Sequence, residues 1–218
     1  MKDVKKILGL KYPDEMVTRF FFKNNLDRRR GTVFELGCGN ASNLTLFSAY
    51  QWNCSGLDIS NKLLEMALEN FNCLKLPVPY LINADMNFPF ECANNIDVLL
   101  LASSIYYVHK KRAIDLVIEI QAYIKSGALV FCRFRTPRDY RYGKGEDLGS
   151  DCFKLNISET NELGCVNAFY DIESMLSVLA PLNIDPETLV TLQLTFDNVG
   201  LNGQIIKNDE IILWGTVR

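Results

Sequence analysis

Two spacings of apolar residues alternate along this chain. Continuous or every-second-residue apolar runs at about 32–36, 53–58, 79–83, 96–102, 127–135, 188–196 and 210–217 predict strands. Apolar residues three and four apart predict helices at about 14–28, 41–50, 60–71, 110–125 and 171–182. Asp58 or Ser60 is placed to cap the helix that starts near Asn61. The run "IDVLLLAS" (96–103) is apolar on both faces, as a central parallel strand covered by helices must be. Strands alternating with helices imply right-handed crossovers and an α/β, doubly wound, mostly parallel seven-stranded sheet. The last two strands are separated only by "DNVGLNGQ" (197–204), which predicts an antiparallel C-terminal hairpin at one edge. Residues 1–218 therefore read as a single domain, with an N-terminal helix at 14–28. The stretch 135–164 is too long for an ordinary connection and reads as an inserted substrate loop.

Composition narrows the class. With 48% hydrophobic residues in 218, one well-buried domain is affordable. The formal net charge of -3 is unfavourable for a protein that grips nucleic acid through phosphates, so a small-molecule substrate is favoured. Seven scattered cysteines with no C-x-x-C pair fit reduced thiols in a cytoplasmic protein better than a disulfide framework or a zinc site. The segment "MKDVKKILGLKYP" has too short an apolar core for a signal peptide, and no run reaches membrane-spanning length.

The chemistry gathers at "TVFELGCGNASNLTLF" (32–47), where a strand meets a helix through two glycines. Gly37 and Gly39 let the backbone turn sharply and approach a ligand. Asp58, close to 20 residues on and at the end of the second strand, is placed for the hydroxyls of a ribose. A dinucleotide loop would want a third glycine, where Ser42 stands, and would be repelled by Glu35 beside its pyrophosphate. A cationic ligand bearing a sulfonium and an ammonium would instead be attracted by that carboxylate.

These residues carry a family resemblance. "FELGCGNAS" (34–42) resembles motif I of the class I, Rossmann-like S-adenosylmethionine-dependent methyltransferases, and "GLDIS" (56–60) resembles motif II. "NADMNFPF" (83–90) looks like the acidic adenine-binding motif, and "IDVLLLASSIYYV" (96–108) like the fourth-strand motif. The four stand in family order at family spacing. The resemblance implies S-adenosyl-L-methionine as cofactor and S-adenosyl-L-homocysteine as product. It places Glu35, Gly37, Cys38, Gly39 and Ala102 at the methionine end, and Asp58 at the ribose. Ile59, Asp85 and the Met86 backbone are placed at the adenine, and Tyr12 and Arg19 at the methionine carboxylate. "DYRYGKGEDL" (139–148) also looks like methyltransferases associated with bacterial surface polysaccharides.

Candidate catalytic groups are fewer. His109, the only histidine, stands near the expected mouth of the site and is either a base for a hydroxyl acceptor or the cap of the next helix. Tyr106 is a second candidate base, and only one of Tyr106 and Tyr107 can face the pocket. Arg133, Arg135, Arg138, Arg141 and Lys144, interleaved with Tyr140 and Tyr142, form either a reader of an anionic acceptor or a solvated basic loop. The expected substrate site within this cluster is Arg135, Arg138, Tyr140, Arg141, Tyr142 and Lys144. No D/N-P-P-Y/F follows the fourth strand and no paired-glutamate loop appears, which disfavours nucleic-acid bases and protein arginine as acceptors. Two other readings of the loop stay open: a regulatory protein that binds the cofactor without catalysis, and an NAD-dependent dehydrogenase.

Overall fold

Strand β1 (Thr32–Leu36) lies at the heart of a seven-stranded sheet in a computed structural model that describes residues 4–218. Around it run β2 (Asn53–Asp58), β3 (Tyr80–Asn83), β4 (Ile96–Leu101) and β5 (Ile124–Arg135), all parallel. The sheet order is β3-β2-β1-β4-β5, continued beyond β5 by β10 (Ile205–Thr216) and then β9 (Val190–Val199). These last two strands form the antiparallel hairpin, with β10 paired against β5. Order reverses between β1 and β4, which opens a crevice at the carboxyl ends of these strands.

Alternation along β1 and β4 builds two cores. Phe34, Leu36, Leu99 and Leu101 face helices α4 (Lys110–Gln121) and α5 (Ile172–Leu179). Val33, Val98 and Leu100 face α1 (Glu15–Lys23), α2 (Ser42–Ala49) and α3 (Asn61–Leu74). Aromatic residues fill the second core: Phe20 lies 5.4 Å from Phe131 and 6.1 Å from Trp214, ring centre to ring centre. Each fully buried phenylalanine contributes on the order of 2–3 kcal/mol by leaving water.

Local signals set the helix ends. Asp14 caps α1 by accepting from Met16 and Val17, and Ser60 caps α3 by accepting from Leu63. The carboxylate of Asp58 accepts instead from the Ser60 amide at 2.8 Å, so of the two candidate caps the serine holds the helix. Asp171 and Ser174 form a reciprocal capping box on α5. No helix among the described residues is long and apolar enough to cross a membrane.

The stretch expected as a long loop is folded. It contains a second antiparallel sheet, β6 (Gly145–Asp147), β7 (Cys152–Leu155) and β8 (Val166–Ala168), in that order. Gly145 is obligatory there, because a Cβ would stand 2.0 Å from the Lys154 carbonyl oxygen. Before α1, residues 7–14 run as an extended strap fastened by side-chain amides. Asn70 accepts from the Leu8 amide at 2.8 Å, and Asn40 donates to the carbonyls of Leu8 and Leu10 at 2.7 and 2.8 Å.

Candidate active site

The crevice has two adjoining halves of about 600 and 330 Å³ that share Gly37 and Ser103 in their walls. Strap residues Gly9, Leu10, Tyr12 and Asp14 close one side of the larger half, over Glu35, Cys38, Gly39 and Ala102. The smaller half is walled by Asp58, Ile59, Asp85 and Met86 on one side and by Tyr107, Cys165 and Val166 on the other.

The glycine turn is built as its residue types require. Gly37 and Gly39 have φ of 68° and 53°, where a side chain is strained, and a Cβ on Gly37 would stand 2.5 Å from that of Ser104. The Gly39 amide donates to Asp58 Oδ2 at 2.8 Å, which ties the turn to the end of β2. Cys38 is buried against Gly56, where any Cβ would stand 2.8 Å from its sulfur. Its role in the turn is packing. Burial pushes its thiol far above the ordinary range, with Glu35 and Asp58 adding to the shift.

Glu35 is the electrostatic centre of the larger half. Its Oε1 accepts from Asn43 Nδ2 at 2.6 Å, while Oε2 is buried without a partner among the described residues. Burial pushes its pKa up to about 8; the Asn43 hydrogen bond opposes the rise, and Asp14 and Asp58 add to it. Asn43 also accepts from the Asp14 amide at 2.8 Å, so strap, helix α2 and β1 share one network.

Across the smaller half, Asp85 Oδ1 accepts from the backbone and side chain of Asn87 at 2.8 and 2.9 Å. Arg112 of α4 pins this loop by donating to the Met86 and Phe88 carbonyls while pairing with Glu119. Ile59 is 66% exposed, an apolar surface offered to the crevice.

Residues 34–132 match a family model described as a methyltransferase domain. This stretch runs from β1 to β5, and by its sequence it is a methyltransferase domain. Solved structures share the fold of this chain at low identity. The YcgJ protein of Bacillus subtilis superposes with a TM-score of 0.68 at 11% identity, over 94% of this chain and 99% of that one. A SAM-dependent methyltransferase from Methanosarcina mazei gives 0.62 at 13%, over 86% and 93%. Another from Clostridium acetobutylicum gives 0.56 at 16%, over 95% and 93%. No curated protein matches the sequence.

The crevice gathers most of the residues expected at the cofactor: Tyr12, Glu35, Gly37, Cys38, Gly39, Asp58, Ile59, Asp85, Met86 and Ala102. Arg19 is not among them. Helix α1 buries Met16, Val17, Phe20 and Phe21, which turns Arg19 outward, 3.9 Å from Glu15 one turn earlier.

Both candidate bases are displaced as well. His109 caps α4, its Nδ1 accepting from the Lys111 amide at 3.3 Å, and it lines neither half of the crevice. Tyr106 is buried at 2% exposure, its ring under the Arg135 guanidinium at 4.3 Å. The chain leaves β4 through a short 3-10 helix (Ile105–Tyr107), so Tyr107, not Tyr106, reaches the wall.

Much of the basic cluster is paired internally rather than turned to the crevice or to solvent. Arg135 pairs with Glu162 at 2.6 Å and with Asn167, and Arg141 pairs with Glu162, Asp139 and Asn208. Both arginines are buried, so their charge is spent inside the insert. Arg133 likewise bridges Asp14 and Glu210. Arg138 points outward beside Asp209, in a hollow at the start of α5. Tyr140 donates to Glu159 and Tyr142 to Asp151, while Lys144 lies over the Tyr140 ring. None of the six expected substrate residues lines the crevice.

Several wall residues escaped the sequence reading: Asn43, Ser104, Tyr107, Cys165 and Val166. Only Tyr107 carried a signal, as the alternative to Tyr106.

Proposed function

We propose that the larger half of the crevice holds the methionine end of S-adenosylmethionine and the smaller half its adenosyl end, with a small-molecule acceptor entering beside Tyr107. The observation that carries this reading is the unpartnered Oε2 of Glu35. A buried carboxylate oxygen without a donor is costly, and a ligand ammonium supplies the missing partner. The remaining walls fit the same ligand. Asp58, oriented by the amides of Gly39 and Ser60, can accept from ribose hydroxyls, and the exposed face of Ile59 offers a flat apolar seat for adenine. Asp85 is steadied through one oxygen and keeps the other for the exocyclic amine.

When bound, the cofactor supplies a methyl carbon made electrophilic by its sulfonium, so the protein contributes chiefly binding and orientation. The strap shields the larger half from water, and Gly37 brings backbone close to Ser104 at the junction of the halves. His109 and Tyr106 are turned away, and the carboxylates that line the crevice are engaged with the turn, the strap or the cofactor, which suits an acceptor nucleophilic enough to react without a dedicated base. The basic cluster offers little support for an anionic acceptor, because Arg135 and Arg141 are buried and paired inside the insert.

Calorimetric titration with S-adenosylmethionine, S-adenosylhomocysteine and NADH tests the cofactor assignment. Micromolar binding of the first two and none of NADH is expected. Asp58→Ala should weaken both by about 1–3 kcal/mol, on the order of 5- to 150-fold, through lost ribose hydrogen bonds. Unchanged affinity would remove Asp58 from the site.

A further inference from the structure

Resting on that reading, the Tyr107 wall, beside which the acceptor enters, bears on which acceptors are admitted. Tyr107 Oη donates to Glu162 Oε1 at 2.7 Å. Glu162 in turn faces Arg135 and Arg141, both buried. Burial alone would raise the Glu162 carboxyl, but the two guanidiniums and their hydrogen bonds hold it below its ordinary value, so it stays an anion. Burial keeps the Tyr107 phenol neutral, far above its ordinary range. The single phenolic proton is thus committed to Glu162. What Tyr107 can present to a ligand is its oxygen lone pair. Nearby, Ser104 is 2% exposed and its Oγ has no partner, a second polar group waiting on the same wall. Val166 supplies an apolar surface beside them, and no cation among the described residues lines this half.

We propose that Tyr107 is an acceptor-contact residue that accepts a hydrogen bond from the methyl acceptor, selecting neutral molecules with an O–H or N–H donor over phosphates and carboxylates. The insert acts in this selection through Glu162, a positioning residue that fixes which way the phenol points. A ligand that offers only lone pairs would meet lone pairs at Tyr107, and an anion would do so with Glu162 behind it and no positive charge free to compensate.

Matched fragments test this by ligand-observed NMR on the S-adenosylhomocysteine complex. Phenol carries the donor, anisole is the same ring with the donor methylated, and phenyl phosphate and benzoate carry anions. On the unaltered protein, phenol should bind more tightly than anisole, and the two anions more weakly than either. Tyr107→Phe removes the lone pair and little volume. It should weaken phenol by roughly 3- to 10-fold, down to the level of anisole, and leave anisole unchanged. A merely structural role for Tyr107 would shift phenol and anisole together, and would overturn the proposal. So would tighter binding of phenyl phosphate than of phenol, or no saturable signal from phenol. S-adenosylhomocysteine affinity, measured separately on both proteins, guards the underlying assignment: its absence in the unaltered protein would strike the cofactor reading, whereas its presence beside a failed fragment series strikes only the role of Tyr107.

Discussion

Replacing Glu162 by alanine is expected to destabilise the protein by about 3–5 kcal/mol, the cost of removing one partner from a buried ion cluster. Arg135 would keep only Asn167 as a polar partner, and Arg141 would keep Asp139 and Asn208. Neither guanidinium can reach solvent without moving the insert, since their side chains are 6% and 9% exposed. For a chain of this size each kcal/mol corresponds to roughly 2–4 °C, so thermal denaturation should fall by about 10 °C. Arg135→Ala belongs to the same series, because it leaves Glu162 with Arg141 as its one remaining cation. A change under about 1 kcal/mol in Glu162→Ala would show that the insert repacks freely, and the selection argued for Tyr107 would lose its anchor.

The second large effect is on the pH dependence of cofactor binding. Glu35 has a pKa of about 8 in the free protein, so below that pH its carboxyl is neutral and must lose a proton before pairing with an ammonium. Affinity should therefore rise with pH, by up to about tenfold per unit between pH 6 and 8. Above about 8 the ligand's own amine begins to lose its proton, and the profile turns over. Glu35→Gln should weaken binding and flatten the acid limb. The sign for folding runs the other way. A carboxyl raised from 4.5 to about 8 contributes stability that is complete below 4.5 and is lost as pH rises through 8. The unliganded protein should accordingly lose stability over that window, and Glu35→Gln should not. Titration calorimetry and thermal melts at pH 6, 7 and 8 measure both. A flat affinity profile would mean that Glu35 does not meet the amine.

The sheet was legible because parallel strands buried on both faces are written as continuous apolar runs, and β1, β2 and β4 fall within a residue of their expected bounds. Helix α4 ends four residues early, since Ile124 is drawn into β5. The small sheet β6–β8 was illegible for a physical reason: its strands are three or four residues long, too short for any period to register. The cofactor half of the site could be read because its residues follow strand ends at fixed spacing. The opposite wall could not, because Tyr107, Glu162, Cys165 and Val166 are brought together only by the folding of the insert. Composition misled at the basic cluster: arginines in a loop look solvated until their carboxylates are located, Asp139 two residues from Arg141, Glu162 at the far end of the insert, and Asp209 and Glu210 on β10.

The strap at 7–14 is fastened by the side-chain amides of Asn40, Asn43 and Asn70 rather than by a sheet ladder. Fastenings of that kind break locally, at a free energy far below that of global unfolding. In hydrogen exchange the Leu8 and Asp14 amides should therefore trade with solvent much sooner than those of β1 or β4. One side of the cavity can come and go on its own clock, giving a cofactor a route in and out while the sheet beneath it stays intact.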